Sequence, residues 1–177
     1  NIGQSVEGRD LLVLKISDNV NTDEIEPEFF YTSTMHGDET TGYVLLLRYI
    51  EYLLSNYNTN TFVKNLVDDL EIYINPLSNP DGTYATNNDT ICYYCSNRSN
   101  ANGVDLNRDY TEPRDTENPA VWEIENTNMI NFMKNRHIAL SMNFHGGIEV
   151  INYPWDFTST RHADDAWFQL ISREYAD

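Results

Sequence analysis

The chain has 177 residues, 40% of them hydrophobic and 22% charged, which suits one globular domain with a full core and excludes both a disordered chain and two ordinary domains. Eleven basic residues against 28 acidic ones leave a net charge of −17. Such a field repels nucleic acid and anionic membranes; it attracts cationic substrates, or it serves only to keep the protein in solution. No apolar run approaches the ~20 residues that a membrane span needs. The chain opens at Asn1 with neither an initiator Met nor a basic, apolar leader, and stops at Glu174-Tyr175-Ala176-Asp177 inside a helical pattern. We read it as a piece of a longer protein.

In chain order, "LLVLKIS" (11–17) and "EFFYTST" (28–34) read as strands, the second rich in aromatic and β-branched residues. Val44, Leu47, Ile50 and Leu54, with Leu46 and Leu53 beside them, recur at helical spacing and predict a helix over 40–54. "LEIYINPL" (70–77) is a third strand, stopped by Pro76 and Pro80. Residues 78–118 carry little periodicity and much Asn, Asp and Gly, the pattern of a long functional loop. Pro119 opens a helix to about Arg136, with Val121, Ile124, Met129, Phe132 and Met133 as its apolar side. "HIALSMNFH" (137–145) and "EVINYP" (149–154) are two further strands, and a last helix from about Thr160 turns Ala163, Trp167, Leu170 and Ile171 inward. Strands alternating with helices indicate a single α/β domain whose mixed, mainly parallel sheet is flanked by helices.

Three clusters carry chemistry. His36 and Glu39 lie three positions apart on the turn leaving a strand, where α/β sheets place ligands. They are either metal ligands or polar loop residues. Zinc accepts such N and O donors and takes three from the protein in catalytic sites. His145, at the end of "SMNFHGG", is the candidate third ligand, with two glycines after it that permit close approach. His137, next to basic residues at a helix end, and His162, opening a surface helix, are poorer candidates. In "NRSNANGVDLNRDY" (97–110), Arg98 and Arg108 are cations in an acidic chain, with Asn107 beside the second. Arginine captures carboxylates in a bidentate manner and can hold an oxyanion, though both residues could equally pair with surface acids. Cys92 and Cys95 lack the second pair of a four-cysteine zinc site, and they run into an Asn-rich loop instead of the helix start of a redox pair. A local disulfide or two free thiols remain; the disulfide would fit an extracellular protein.

Five stretches in order, "SVEGRDLLVLKISDN", "MHGDET", "NPDGTY", "NRSNANGVDLNR" and "NFHGGIEVINYPWD", resemble the zinc metallocarboxypeptidases, and within them the regulatory branch typified by carboxypeptidases N, E and D. The resemblance implies a partial peptidase catalytic domain over 1–177, with one zinc ion held by His36, Glu39 and His145. It further implies that Asp105 orients the first zinc histidine, that Arg98 polarises the scissile carbonyl, and that Asn107 and Arg108 grip the C-terminal carboxylate of a peptide or protein substrate. Asp156 matches the aspartate that meets a C-terminal Lys or Arg in that branch; otherwise it caps a turn or pairs with Arg161. Asp38 stands where the family has Asn, "NRDY" where it has "NRNF", and Glu149 where it has an apolar residue. The expected setting is secreted or periplasmic. An aspartoacylase-like zinc amidohydrolase and a non-catalytic peptide- or metal-binding module are the alternatives. The family's general-base glutamate and substrate-covering tyrosine would lie beyond residue 177. The isolated 177-residue chain is therefore expected to hydrolyse peptides about 10²–10⁴-fold more slowly than a longer chain that carries the base. Parallel assays of the two with one C-terminal Arg peptide check this, and equal rates would mean that the base lies within 1–177.

Overall fold

The computed structural model describes residues 1–92, 94–110, 122–156 and 158–177. They form two compact units, Asn1–Gly146 and Gly147–Asp177. In the first, a two-stranded antiparallel ribbon of β1 (Gly3–Gln4) and β2 (Asp10–Leu11) precedes a four-stranded sheet. That sheet contains β3 (Leu14–Ile16), β4 (Glu28–Ser33), β5 (Glu71–Asn75) and β6 (Ile138–Phe144), in the order β3-β5-β4-β6. β3 runs antiparallel to β5, while β5-β4 and β4-β6 are parallel, so the sheet is mixed and mainly parallel as expected.

Every residue of β5 is buried, as a strand covered on both faces must be. Ile72 and Ile74 pack on one face against α1 (Thr41–Asn56) and α2 (Thr61–Asp68), with Leu46, Ile50, Leu53, Val63 and Val67. A single helical turn, α3 (Pro80–Thr83), follows β5. Tyr73 points away from the first cluster, into a smaller one with Phe30 and Met129 of α4 (Ile124–Lys134), and its ring meets Phe132 at 5.6 Å. The α1 stripe is Leu46, Ile50 and Leu53, at the i, i+4, i+7 spacing of one face; Val44, Leu47 and Leu54, which the periodicity also turned inward, are exposed. The sequence reading missed α2. Its signal is Asn60, whose side chain accepts from the Phe62 and Val63 amides, followed by Val63 and Val67 on one face.

Several predicted elements are shorter than their patterns. Pro119 and Val121 lie outside the described residues, and Trp122 and Glu123 are non-helical, so the described helix starts at Ile124. "LLVLKIS" divides: Leu11 pairs with β1 and only Leu14–Ile16 joins the sheet, because the Asn75 amide takes the Leu12 carbonyl at 2.8 Å. In the second unit, residues 149–154 form no strand; β-propensity without a neighbouring ladder is a weak preference. The last helix, α5 (Asp165–Ala176), begins later than Thr160 because Thr158 and His162 side chains hold the Thr160 and Asp164 amides in turns. On it, Trp167 and Leu170 are exposed and no residue is fully buried, so the inward face expected for them and for Ala163 is absent within the described residues. No described helix is long and apolar enough to cross a membrane.

One buried ion pair ties the sheet's antiparallel edge. Glu71 is inaccessible to solvent; Lys15 Nζ lies 2.7 Å from its Oε1 and Tyr73 Oη donates to its Oε2 at 2.7 Å. Burial raises the carboxyl, but Lys15, Tyr73 and the Glu24 amide outweigh it and hold it below its ordinary value of 4.5. A depressed folded pKa gives stability that is present above 4.5 and is lost as pH falls through the lower folded value. Lys15→Met is expected to cost about 3 kcal/mol at neutral pH, since it strands a buried charge. Urea unfolding at neutral and at acid pH should show that cost shrinking on acidification, once protonated Glu71 needs no cation.

Candidate metal centre and active site

β4 ends at Ser33, and Thr34 turns the chain with φ 58°, a left-handed conformation that a β-branched residue rarely adopts and that costs on the order of 1–3 kcal/mol. The Thr34 hydroxyl secures the turn by donating to the Glu39 carbonyl at 3.0 Å. His36 is thereby buried at the carboxyl end of the sheet, with Glu39 half-buried one turn later. Next to β4, β6 ends at Phe144 and delivers His145 to the same edge.

The three candidate ligands converge. His36 Nδ1 lies 3.1 Å from Glu39 Oε1 and 3.1 Å from His145 Nδ1, and His145 Nδ1 lies 2.9 Å from Glu39 Oε2. Donors at ~2 Å from a tetrahedral zinc would stand ~3.3 Å apart, so this set is close to the spacing that zinc requires. Asp105 accepts from His36 Nε2 at 3.1 Å, which fixes the proton there and leaves Nδ1 with a lone pair towards the other donors. Asn143 Nδ2 lies 2.9 Å from His145 Nε2, while Asn143 Oδ1 is buried without a partner among the described residues; reversing the amide satisfies that oxygen against Nε2–H and leaves the His145 Nδ1 lone pair facing the other donors. Two imidazole lone pairs and a carboxylate aimed at one point repel unless a cation lies between them. The donor set fits zinc.

The electrostatics agree. Burial raises the Glu39 carboxyl, but the Gly146 amide at 2.9 Å, His145 and His36 outweigh it and hold it below its ordinary range. Asp105 follows the same rule: burial raises it, and the Asn107 amide, Arg98 and His36 bring it down. Arg98 completes the group. Its Nε and Nη2 each lie 3.0 Å from Asp105 Oδ2, its Nη1 lies 3.2 Å from His36 Nδ1, and it approaches Glu39 at 3.6 Å. Nearly half of its side chain remains exposed, so a substrate can reach the guanidinium.

The other sequence candidates are placed less centrally. Asn107 and Arg108 sit exposed on a 3-10 turn, Leu106–Arg108, opened by Asp105, whose Oδ1 accepts from the Asn107 amide. Arg108 Nη1 donates to the Asn107 carbonyl at 2.9 Å. Asp109, the departure from the family's Asn, anchors the start of α4: its carboxylate accepts from the Glu123 amide and from Asn126. Asp38 is exposed. Within the second unit, Asp156 and Glu149 are exposed, and Asp156 lines a cavity of about 400 Å³ with Trp155, Arg161 and Asp165. Arg161 pairs with Asp165 at 2.6 Å. In the same unit, His162 packs edge-on to Trp155 and Phe168. Cys92 and Cys95 form a disulfide. The "NPDGTY" stretch, to which the sequence reading gave no role, forms the polar turn at 79–83, whose side chains bond the loops carrying His36 and Arg98.

The sequence profile of the zinc carboxypeptidases matches residues 1–177. The chain is 39% identical over 189 residues to carboxypeptidase D of Homo sapiens, an alignment that covers 99% of this chain and 13% of that protein. It is 36% identical over 185 residues to carboxypeptidase M of Mus musculus, covering 99% of this chain and 41% of that one. The chain thus spans less than half the length of these relatives. Among solved structures, carboxypeptidase A from Helicoverpa armigera superposes with a TM-score of 0.79 at 20% identity, covering 98% of this chain and 46% of that chain, a likeness of fold. A profile match along the whole chain and identities of 36–39% over nearly all of it make this chain a member of the zinc carboxypeptidase family.

Proposed function

We propose that the chain is the metal-bearing part of a secreted zinc carboxypeptidase that removes C-terminal Lys or Arg from peptides and proteins. The observation that carries this reading is the convergence of His36, Glu39 and His145, with Arg98 3.2 Å from the first, in a chain of that family. His36, Glu39 and His145 hold the ion, and Asp105 keeps the His36 ring in the required tautomer. Bound there, zinc supplies a Lewis acid and a water acidified towards a pKa of about 7.

The protein's own residues supply binding and charge. Arg98 donates to the scissile carbonyl oxygen and holds the negative charge that develops on it. Asn107 and Arg108 bind the substrate's terminal carboxylate, which fixes the last peptide bond as the one cut. Glu39 and Asp105 are both engaged in holding the site, so neither is assigned the transfer of the proton to the leaving amine. Asp156 pairs with the cationic side chain of the departing residue. The Cys92–Cys95 disulfide supports an extracytoplasmic setting. Family membership leaves the aspartoacylase-like alternative without support, and a merely binding module would not need Arg98 at the metal-facing edge.

Two measurements test the reading. Zinc analysis after dialysis should give one ion per wild-type chain and markedly less in His145→Ala; equal zinc in both would remove His145 from the site. In the whole enzyme, substrates ending in Lys or Arg should be preferred to those ending in Leu or Phe. Asp156→Ala should erase most of that preference, worth ~1–3 kcal/mol in relative kcat/KM, with zinc content unchanged. A wild-type preference for apolar C-termini would overturn the role of Asp156 and leave the zinc site standing.

A further inference from the structure

Asn79 touches none of the reacting groups, yet it is fully buried and uses its carboxamide on three backbone groups. Its Nδ2 donates to the carbonyl of Met35 at 3.1 Å and to the carbonyl of Arg98 at 3.3 Å, and its Oδ1 accepts from the Gly82 amide at 2.9 Å. Met35 precedes the first zinc histidine, and Arg98 is the cation beside it. Neither carbonyl lies in a helix or a strand. One side chain therefore replaces the ladder bonds that these two loops lack.

The surroundings leave Asn79 little freedom. Its backbone amide donates to the Thr34 carbonyl at 3.1 Å, which joins it to the end of β4. The helical turn that it caps, α3, is tethered by Asp81, whose buried carboxylate takes Arg9 at 2.7 Å and Ser5 at 2.7 Å. At Gly37 an added Cβ would fall 2.4 Å from the Gly82 carbonyl carbon and 2.6 Å from the Asn97 carbonyl oxygen. The His36 loop, the 79–83 turn and the Arg98 loop are thus pressed together backbone to backbone. Gly37 also donates to the Arg98 carbonyl at 3.3 Å, so the two loops meet on the same oxygen that Asn79 holds.

We propose that Asn79 is a positioning residue that sets the distance between the His36 metal loop and the Arg98 guanidinium. The proposal rests on the reading of Arg98 as the group that holds the carbonyl oxygen. An error in that distance separates the two halves of the site, and a displacement of about 1 Å is enough to cost ~100-fold in rate.

In the full-length protein, Asn79→Asp keeps the oxygen that Gly82 uses and replaces the double donor with an oxygen facing two carbonyls. Chelator competition on the folded variant should show zinc held about 10-fold or more less tightly, the range seen when outer partners of metal ligands are lost. Steady-state assays should show kcat reduced by about 10-fold or more with KM within about twofold, because the contact at fault acts in the transition state. In an Arg98→Ala background, Asn79→Asp should lower kcat by less than about twofold further, as expected for residues acting through one group. Unchanged zinc affinity and kcat, or a fully additive loss in the double variant, overturns the proposal. Where Asn79→Asp does not fold, Asn79→Ser, which adds no charge, carries the same expectations and the same overturning result. Wild-type kcat in Arg98→Ala alone would defeat the reading of Arg98 instead, and the zinc measurement would still decide whether Asn79 holds the His36 loop.

Discussion

The parallel pairing of β4 with β6 is the constraint on which the site depends. Thr32 is opposite Asn143 and Ser33 is opposite Phe144, so the two strands end level and the residues that follow them emerge side by side. That pairing, with the Thr34 turn, brings together His36 and His145, which are far apart in sequence. A slip of one residue would move His145 by ~3.3 Å and turn it to the other face of the sheet. After an irregularity between Glu28 and Phe29, the pairing runs evenly from Phe29–Leu140 to Ser33–Phe144, and it brings the candidate metal site to one edge of the sheet.

The local charges are arranged against the general trend of the molecule. Around His36 stand two carboxylates and one guanidinium, each with a partner of opposite sign or a backbone amide. Burial by itself would raise both carboxyls, yet both are held below their ordinary values. Each is thereby engaged in holding the site together.

Much of this was legible in the sequence, for reasons that differ by element. β4 and β5 are short runs rich in apolar residues and bounded by turn signals, and burial of β5 on both faces and of alternate β4 residues makes composition sufficient. The convergence of His36 and His145 was legible because each follows such a run, and the ordered motifs made both candidate ligands. α2 escaped because eight residues, with only Val63 and Val67 buried, are too short a run to tell from a loop until the Asn60 cap is noticed. The predicted strand over 149–154 did not form, because alternation states a preference and cannot supply a partner. Asn79 was read only as part of the "NPDGTY" stretch, and its role could not be read, because its partners are backbone groups and a carbonyl has no letter in the sequence.

Under the proposed function, the same distinction between local and global charge bears on recognition. A protein with a net charge of −17 must accept a substrate that ends in a carboxylate. Long-range repulsion is screened within ~8 Å at physiological salt, so the final approach is decided by the nearest groups. In the 97–110 segment those groups include Arg98 and Arg108, while the acids Asp105 and Asp109 are taken up by His36, Arg98, the Asn107 amide, the Glu123 amide and Asn126. The segment's two arginines balance its two aspartates, so it is locally neutral within an acidic molecule. A peptide ending in Lys or Arg carries both signs at its terminus: the acidic field draws its side chain, and Asn107 with Arg108 receives its carboxylate. An apolar C-terminus offers the field only the sign that it repels, so discrimination begins at encounter and is completed by contact.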